Sequence, residues 1–431
     1  MALLIKNGNV FFEDKFQKVD VLIGETKIVK IAPTIKLDCK TIDATNNYVL
    51  PGFIDIHVHI RDFELSYKED WLSGSKAAAA GGITTMLDMP NNKIPFVTVD
   101  RLNEKFKVAS EKSIVNFGAY IAATNDNVEE INNSDLKNVK LYYGETTGKI
   151  KVDDTEKIFK NLRKDILIIA HAEDNNIIEE NKQMTNKNKL KYHSLVRDAR
   201  AESTAVTYMI ELSEKYDRNI HLTHISCDES MQLIIEAKKK GLKITCDTCP
   251  HYLFFDESLY EKAGNFAKVN PALKTKKDQE ALWSHINNDW IDCMCSDHAP
   301  HTIDEKSGDY ENCAAGFPGV QTTSQLMLNA VNEDKISLKK VISLLAKKPS
   351  EILKIKNKGE IKLQNDADLI VVDMAKEDII NVEKLFSKAG WSPYEQMKTK
   401  GKVITTIVNG KIVYDNEKIF EENKGKKIEF R

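Results

Sequence analysis

The sequence predicts an α/β protein: a (β/α)8 TIM-type barrel carrying a small β-sandwich domain formed by both chain termini. Three observations lead there. Residues 53–357 alternate strand-like and helix-like stretches, several strand-like runs close on histidine or a carboxylate, and both ends of the chain read as short strands and turns. A doubly wound open sheet is the alternative, weakened because no Gly-rich dinucleotide turn follows the first strand of the alternating region.

A chain of 431 residues has room for one large barrel plus an appendage. Its 42% hydrophobic and 29% charged residues are ordinary for a soluble globular protein. A net charge of −3 gives no reason to expect nucleic acid or an anionic membrane as partner. The apolar stretches are strand-sized, so no membrane span is expected, and Met1 to Lys6 lacks a signal-peptide pattern. Seven cysteines, several in apolar runs, point to reduced thiols and a cytoplasmic location.

The elements follow in order. Leu3–Ile5, Asn9–Phe12, Val19–Ile23 and Lys27–Ile31 are β-prone runs separated by turn residues. Ala367–Asp373, Val403–Val408 and Lys411–Tyr414 resemble them at the other end, with Asn409-Gly410 a strong hairpin signal. Neither end can bury an apolar face alone, so 1–52 and 358–431 are expected to join as one β-domain around a barrel over 53–357. The barrel strands are expected at 53–60, 84–90, 116–123, 139–143, 166–172, 220–226, 243–249 and 291–296. Helices intervene, such as 100–112, 202–216 and 229–240; the last spaces Met231, Ile234, Ile235 and Lys238 at three- and four-residue steps.

The chemistry lies at the strand ends. His57 and His59 stand two residues apart in Phe53-Ile54-Asp55-Ile56-His57-Val58-His59-Ile60, so a strand aims both imidazoles to one side, with Arg61 following. Lys140 lies in the fourth strand, and His171, His224 and Asp297 end later ones. Alone, His171 or His224 reads as a core histidine, Asp297 as a cap and Lys140 as a surface-paired cation. Converging on one barrel mouth, four imidazoles and a carboxylate are the ligands that two zinc-like ions need. Two dications about 3.5–4 Å apart require an anionic bridge. No second carboxylate falls clearly at a strand end, but Lys140, as a neutral buried amine, can add carbon dioxide to become a carbamate.

Together with these residues, the blocks Met89-Pro90-Asn91, Lys140-Leu141-Tyr142, His171-Ala172-Glu173, Thr223-His224-Ile225-Ser226, Cys249-Pro250-His251-Tyr252-Leu253, Val269-Asn270-Pro271 and Ser296-Asp297-His298-Ala299-Pro300-His301 occur in an ordered series. In them the chain resembles the dihydroorotases of the cyclic amidohydrolase superfamily over essentially its full length. The resemblance implies two Zn2+ per chain, with His57, His59, His171, His224 and Asp297 as ligands and Lys140 as the carboxylated bridge (N6-carboxylysine). Some members bridge with aspartate; the lysine in the Lys-Leu-Tyr block favours the carbamate. Gly144 before Glu145-Thr146 departs from the Asn often found there.

The resemblance also implies the reaction: reversible cyclisation of N-carbamoyl-L-aspartate to (S)-dihydroorotate and water in pyrimidine biosynthesis. A bridging hydroxide would be the nucleophile and Asp297 the general acid/base. Arg61 can grip a substrate carboxylate with two hydrogen bonds. By resemblance, Asn91 and His301 complete that pocket, while Asn270 and the backbone around Ala315-Gly316-Phe317-Pro318-Gly319 contact the ring. Otherwise Arg61 reads as an ion-pair partner of Asp62 or Glu64. Glu173, His251 and Asp55 read as supports that orient ligands. Residues 301–316 read equally as a flap or a solvent loop.

Dihydropyrimidinase (hydantoinase) and allantoinase would present the same metal ligands; Arg61 and His301 favour a carboxylate-bearing substrate. A catalytically silent scaffold is disfavoured because every ligand position is filled. A cysteine-based zinc module (Cys246, Cys249, Cys293, Cys295) is disfavoured because these thiols sit in apolar barrel strands. The sequence leaves open a homodimer or association with aspartate transcarbamoylase.

Overall fold

Seven short strands open the chain in the computed structural model, which describes residues 2–144, 150, 152–185 and 192–431. They are β1 (Leu3–Lys6), β2 (Asn9–Phe12), β3 (Lys15–Lys18), β4 (Asp20–Gly24), β5 (Lys27–Ala32), β6 (Lys40–Asp43) and β7 (Tyr48–Pro51). There follow β8 (Phe53–Val58), β9 (Ile83–Asp88), β10 (Asn116–Ala119), β11 (Asn138–Tyr143), β12 (Leu167–Ala172), β13 (Ile220–Leu222), β14 (Ile244–Thr248) and β15 (Cys293–Met294).

Among the described residues, β8 to β15 pair in parallel as two ladders, β10-β9-β8 and β11-β12-β13-β14-β15. Two seams join the ladders into a barrel. At one, the Lys140 N–H donates to Ile121 O at 2.9 Å and the Ala123 N–H to Lys140 O at 2.8 Å. At the other, the His59 N–H donates to His298 O at 2.7 Å. Residues of β8 and β9 are buried throughout, as expected of parallel strands covered on both faces. The covering helices start on side-chain caps. Asp70 and Ser73 form a reciprocal capping box before Trp71–Ala80, and Thr98 caps Val99–Lys112. The latter buries Leu102, Lys105 and Ala109 along one face.

The terminal strands are β16 (Leu369–Ile379), β17 (Lys398–Val408), β18 (Lys411–Asp415) and β19 (Lys418–Ile419). One sheet has the order β5-β4-β1-β6; the other, β19-β18-β17-β16-β7-β2-β3, interleaves both ends of the chain. Leu3, Val21 and Ile23 from the first sheet share a core with Val10, Val49, Leu369 and Ile407 from the second. β17 and β18 turn on Asn409 (φ 48°) and Gly410 (φ 75°), both left-handed, as a two-residue hairpin requires.

Four strands escaped the sequence reading, among them the two-residue β19 near the C-terminal end. β3 and β6 carry exposed polar residues, and β7 ends on a proline, so none shows a clean alternation. The barrel strands β10, β13 and β15 are shorter than expected. β13 stops before His224 (φ 45°) and β15 before Asp297 (φ 43°), where the backbone swings into the left-handed region. Arg61 (φ 63°) does the same beyond β8. Gly144 (φ 100°) also has a reason to lack a side chain: a Cβ there would lie 2.1 Å from Glu173 O. Glu145 and Thr146, the rest of that departure, lie outside the described residues.

Candidate metal centre

The strand-end histidines meet. Ring centroids are 5.3 Å apart for His57 and His59, 5.2 Å for His57 and His224, and 4.9 Å for His171 and His224. Asp297 Oδ1 lies 3.0 Å from His59 Nε2 and 3.3 Å from His57 Nε2. Lys140 is fully buried on β11, its Nζ 3.2 Å from Thr223 Oγ1. His57, His59, Lys140, His171, His224 and Asp297 line one cavity with Arg61, Asn91, Tyr142, Asn270, Ala299, Ala315 and Gly316.

The hydrogen bonds aim lone pairs inward. His59 Nδ1 meets Asn91 Oδ1 at 2.6 Å, so it carries the proton and leaves Nε2 facing the Asp297 carboxylate. His171 Nε2 lies 3.3 Å from Glu173 Oε2 without hydrogen-bonding to it, and His171 Nδ1 is 3.1 Å from His224 Nε2, where one imidazole can donate to the other. Burial, with Lys140 and neighbouring histidines, pushes the His57 and His224 imidazoles well below their ordinary pKa. They are therefore neutral, the form that binds metals. His57, His59 and Asp297 offer ligand atoms within 4.8 Å of one another. The donor set fits a metal.

Burial brings Lys140 down to about 8, against the opposing pull of Asp247 and Asp297. A substantial share of the amine is thus neutral in mildly alkaline solution, which carbon dioxide addition requires.

Supports come from directions the sequence only partly signalled. Asp55 Oδ1 accepts the His57 and Ser296 N–H groups, both at 3.2 Å. Asp247 Oδ1 accepts the His224 N–H, and its Oδ2 holds His221 Nε2 at 2.8 Å. Asp88 Oδ1 accepts the Ile60 N–H at 2.7 Å while Oδ2 pairs with the buried Lys105. Asp88 and Asp247 correct the expectation that no second carboxylate closes a strand, yet both are already engaged. Their signal was a lone acid within an apolar β-prone run, in Thr85-Met86-Leu87-Asp88 and Ile244-Thr245-Cys246-Asp247.

Arg61 does not pair with Asp62 or Glu64, which bind Lys112 and Arg101. Its Nε donates to Pro300 O at 3.3 Å, and its Nη2 lies 3.2 Å from His301 Nε2. His301 stands behind Arg61, its pKa pushed down to about 3 by burial and the guanidinium. Asn91 lines the cavity and, beyond the expected role, fixes the His59 ring. Asn270 Oδ1 lies 3.0 Å from His193 Nε2, and His193 Nδ1 meets Tyr310 O–H at 2.6 Å. His193 was missed because its only sequence signal is an isolated histidine in a polar run.

Two expectations need correction. Phe317, Pro318 and Gly319 stand behind the wall that Ala315 and Gly316 form: the Phe317 ring packs edge-on against His251 and Trp391, and the Gly319 N–H donates to His298 Nδ1 at 3.1 Å. His251 orients no ligand through a hydrogen bond; among the described residues neither ring nitrogen has a partner. Within residues 301–316, buried Lys306 donates to Lys268 O, Ala314 O and Gly316 O at 2.9–3.3 Å, while Ser307–Asp309, Glu311 and Asn312 are exposed. The cysteines are free thiols, six of them buried. Cys293 clusters with His221 and Asp247, but both nitrogens of that histidine are already bonded, to Thr245 and Asp247.

This constellation at the strand ends of a barrel is a candidate metal centre, and the amidohydrolase family profile matches residues 48–413. The chain belongs to the amidohydrolase family. It is 35% identical to a dihydroorotase of Methanosphaera stadtmanae over 97% of this chain and 98% of that protein. It is 36% identical to a dihydroorotase of Pyrococcus furiosus over 94% and 91%. Among solved structures, the L-hydantoinase (dihydropyrimidinase) from Arthrobacter aurescens superposes with a TM-score of 0.92 at 25% identity, covering 97% of each chain. Dihydropyrimidinase from Brevibacillus agri gives 0.89 at 26% identity, over 98% of this chain and 97% of that one. Among the described residues, no helix is long and apolar enough to cross a membrane.

Proposed function

We propose that the protein is a dihydroorotase, interconverting N-carbamoyl-L-aspartate and (S)-dihydroorotate. One observation carries the choice of substrate: the buried Arg61 guanidinium at the cavity, which among the described residues forms no ion pair with a carboxylate and is backed by His301. A ring bearing a carboxylate satisfies that guanidinium, whereas the neutral rings of hydantoin or dihydrouracil leave it buried without an anion. The dihydroorotase relatives support the same reading.

We assign His57, His59, His171, His224 and Asp297 as ligands to two zinc ions and Lys140, as N6-carboxylysine, as their bridge. A metal pair so bound supplies a water acidified towards neutrality and a polarised carbonyl. Arg61 and Asn91 orient the substrate carboxylate, and Asn270, braced by His193, faces the ring. In ring opening, Asp297 takes the proton released as water adds to the amide carbonyl and passes it to the departing ring nitrogen. In ring closure it takes the proton from the attacking nitrogen and returns it to the leaving water. Residues 53–357 form the catalytic barrel and 1–52 with 358–431 the small β-domain, in a cytoplasmic enzyme.

The test is a side-by-side assay of carbamoyl-aspartate, dihydroorotate, hydantoin and allantoin, with and without chelator, plus metal analysis. The reading expects turnover of the first two alone, loss of it on chelation, and close to two zinc ions per chain. Preference for hydantoin or allantoin, or activity indifferent to chelator, overturns it.

A further inference from the structure

Behind Arg61, His301 is held between donors on both sides. Its Nε2 faces Arg61 Nη2 at 3.2 Å; its Nδ1 faces Lys68 Nζ at 3.2 Å and Glu305 Oε2 at 3.3 Å. Lys68 and His301 are both buried. Lys68 also pairs with Glu305 Oε1 at 2.7 Å, and Tyr67 O–H donates to the same oxygen at 2.8 Å. Glu305 is itself fixed: its Oε2 accepts the Thr302 N–H at 3.2 Å in the capping box of the short helix Ile303–Lys306.

A neutral imidazole carries one N–H and one lone pair. With Arg61 donating to Nε2, the proton must sit on Nδ1, where Glu305 accepts it. When a carboxylate takes over the Arg61 guanidinium, Nε2 has to become the donor, or its lone pair opposes the incoming anion. The proton then leaves Nδ1, and the bared lone pair needs a donor beside it. Lys68 is that donor, already at hydrogen-bonding distance. Glu305 and Lys68 therefore accommodate both tautomers of the same ring.

We propose that Lys68, anchored by Glu305, is a positioning residue that sets His301 as the Nε2–H donor to the substrate's carboxylate and so determines specificity for carboxylate-bearing rings. The inference rests on the dihydroorotase reading and goes beyond it by assigning residues that never touch the substrate.

The test uses the metal-replete full chain. Lys68→Met should raise KM for dihydroorotate about 10-fold or more while kcat changes by less than about threefold and metal content holds. Lys68→Arg, which keeps a donor, should restore most of the affinity. An unchanged KM in Lys68→Met, or a fall confined to kcat, overturns the inference while leaving the dihydroorotase reading in place. Failure of the unaltered protein to process dihydroorotate overturns both. A readout needing no altered Lys68 guards against misfolding: nitrogen-15 histidine spectra with equilibrated substrate, the His301 signal identified by its loss in His301→Asn. The ring should move from the Nδ1–H to the Nε2–H tautomer; an unmoved or doubly protonated ring overturns the proposal.

Discussion

Replacing Lys105 with methionine isolates how the barrel holds its substrate end in place. Lys105 Nζ pairs with Asp88 Oδ2 and donates to Met89 O at 2.9 Å and Asn92 Oδ1 at 3.3 Å, with the two charged side chains only 1% and 2% exposed. Methionine preserves most of the buried stem, so the loss falls on the charge. Asp88 is left without its buried cation, which costs about 3–5 kcal/mol for a broken buried pair. That is a large part of a typical stability of roughly 5–15 kcal/mol. The damage also reaches the site. Asp88 holds the Ile60 N–H, and Asn92 Nδ2 donates to Arg61 O, so both clamps on the left-handed Arg61 loosen together. Urea unfolding of the zinc-loaded protein, followed by circular dichroism and tryptophan fluorescence with coincident transitions, measures the first effect. KM for dihydroorotate measures the second, and it should rise. Adding Asp88→Asn removes the stranded charge and should recover more than about 1 kcal/mol. A Lys105→Met protein within about 1 kcal/mol of the parent, or a double variant no better than the single one, refutes the reasoning.

Three further outcomes are expected. Arg61→Met should raise KM for dihydroorotate by about 100-fold with metal content intact, since a charge-assisted two-pronged contact is lost; unchanged kinetics would remove Arg61 from the carboxylate site. Because burial lowers Lys140 to about 8, its neutral amine grows as pH rises towards and past that value, so metal-stripped protein should regain activity faster at higher pH and only with bicarbonate present. Zinc reconstitution indifferent to bicarbonate would exclude the carbamate. Asp297→Ala should abolish turnover in both directions, and near-normal rates in either would rule out the proton shuttle.

The barrel and the convergence of its strand-end histidines were legible because the relevant signals are local. The spacing of His57 and His59 declares a shared face, and acids or imidazoles ending apolar runs declare a barrel mouth. What could not be read is pairing across long sequence separations. Lys105 looks like one more helix-surface lysine until the fold seats it on Asp88. Lys68 and Glu305, more than two hundred residues apart, meet only because the loops after β8 and β15 share one rim. Phe317, assigned to the ring contact by resemblance, instead has its side chain packed against His251 and Trp391.

The seams that close the barrel run through the amides of His59 and Lys140, the same residues proposed above as a ligand and the bridge. Local breathing of either seam must therefore disturb the centre, and an ion bound there acts as a rivet across the gap. Slow amide exchange at these two positions would track metal occupancy, and a chelated sample should lose protection there before the rest of the sheet does.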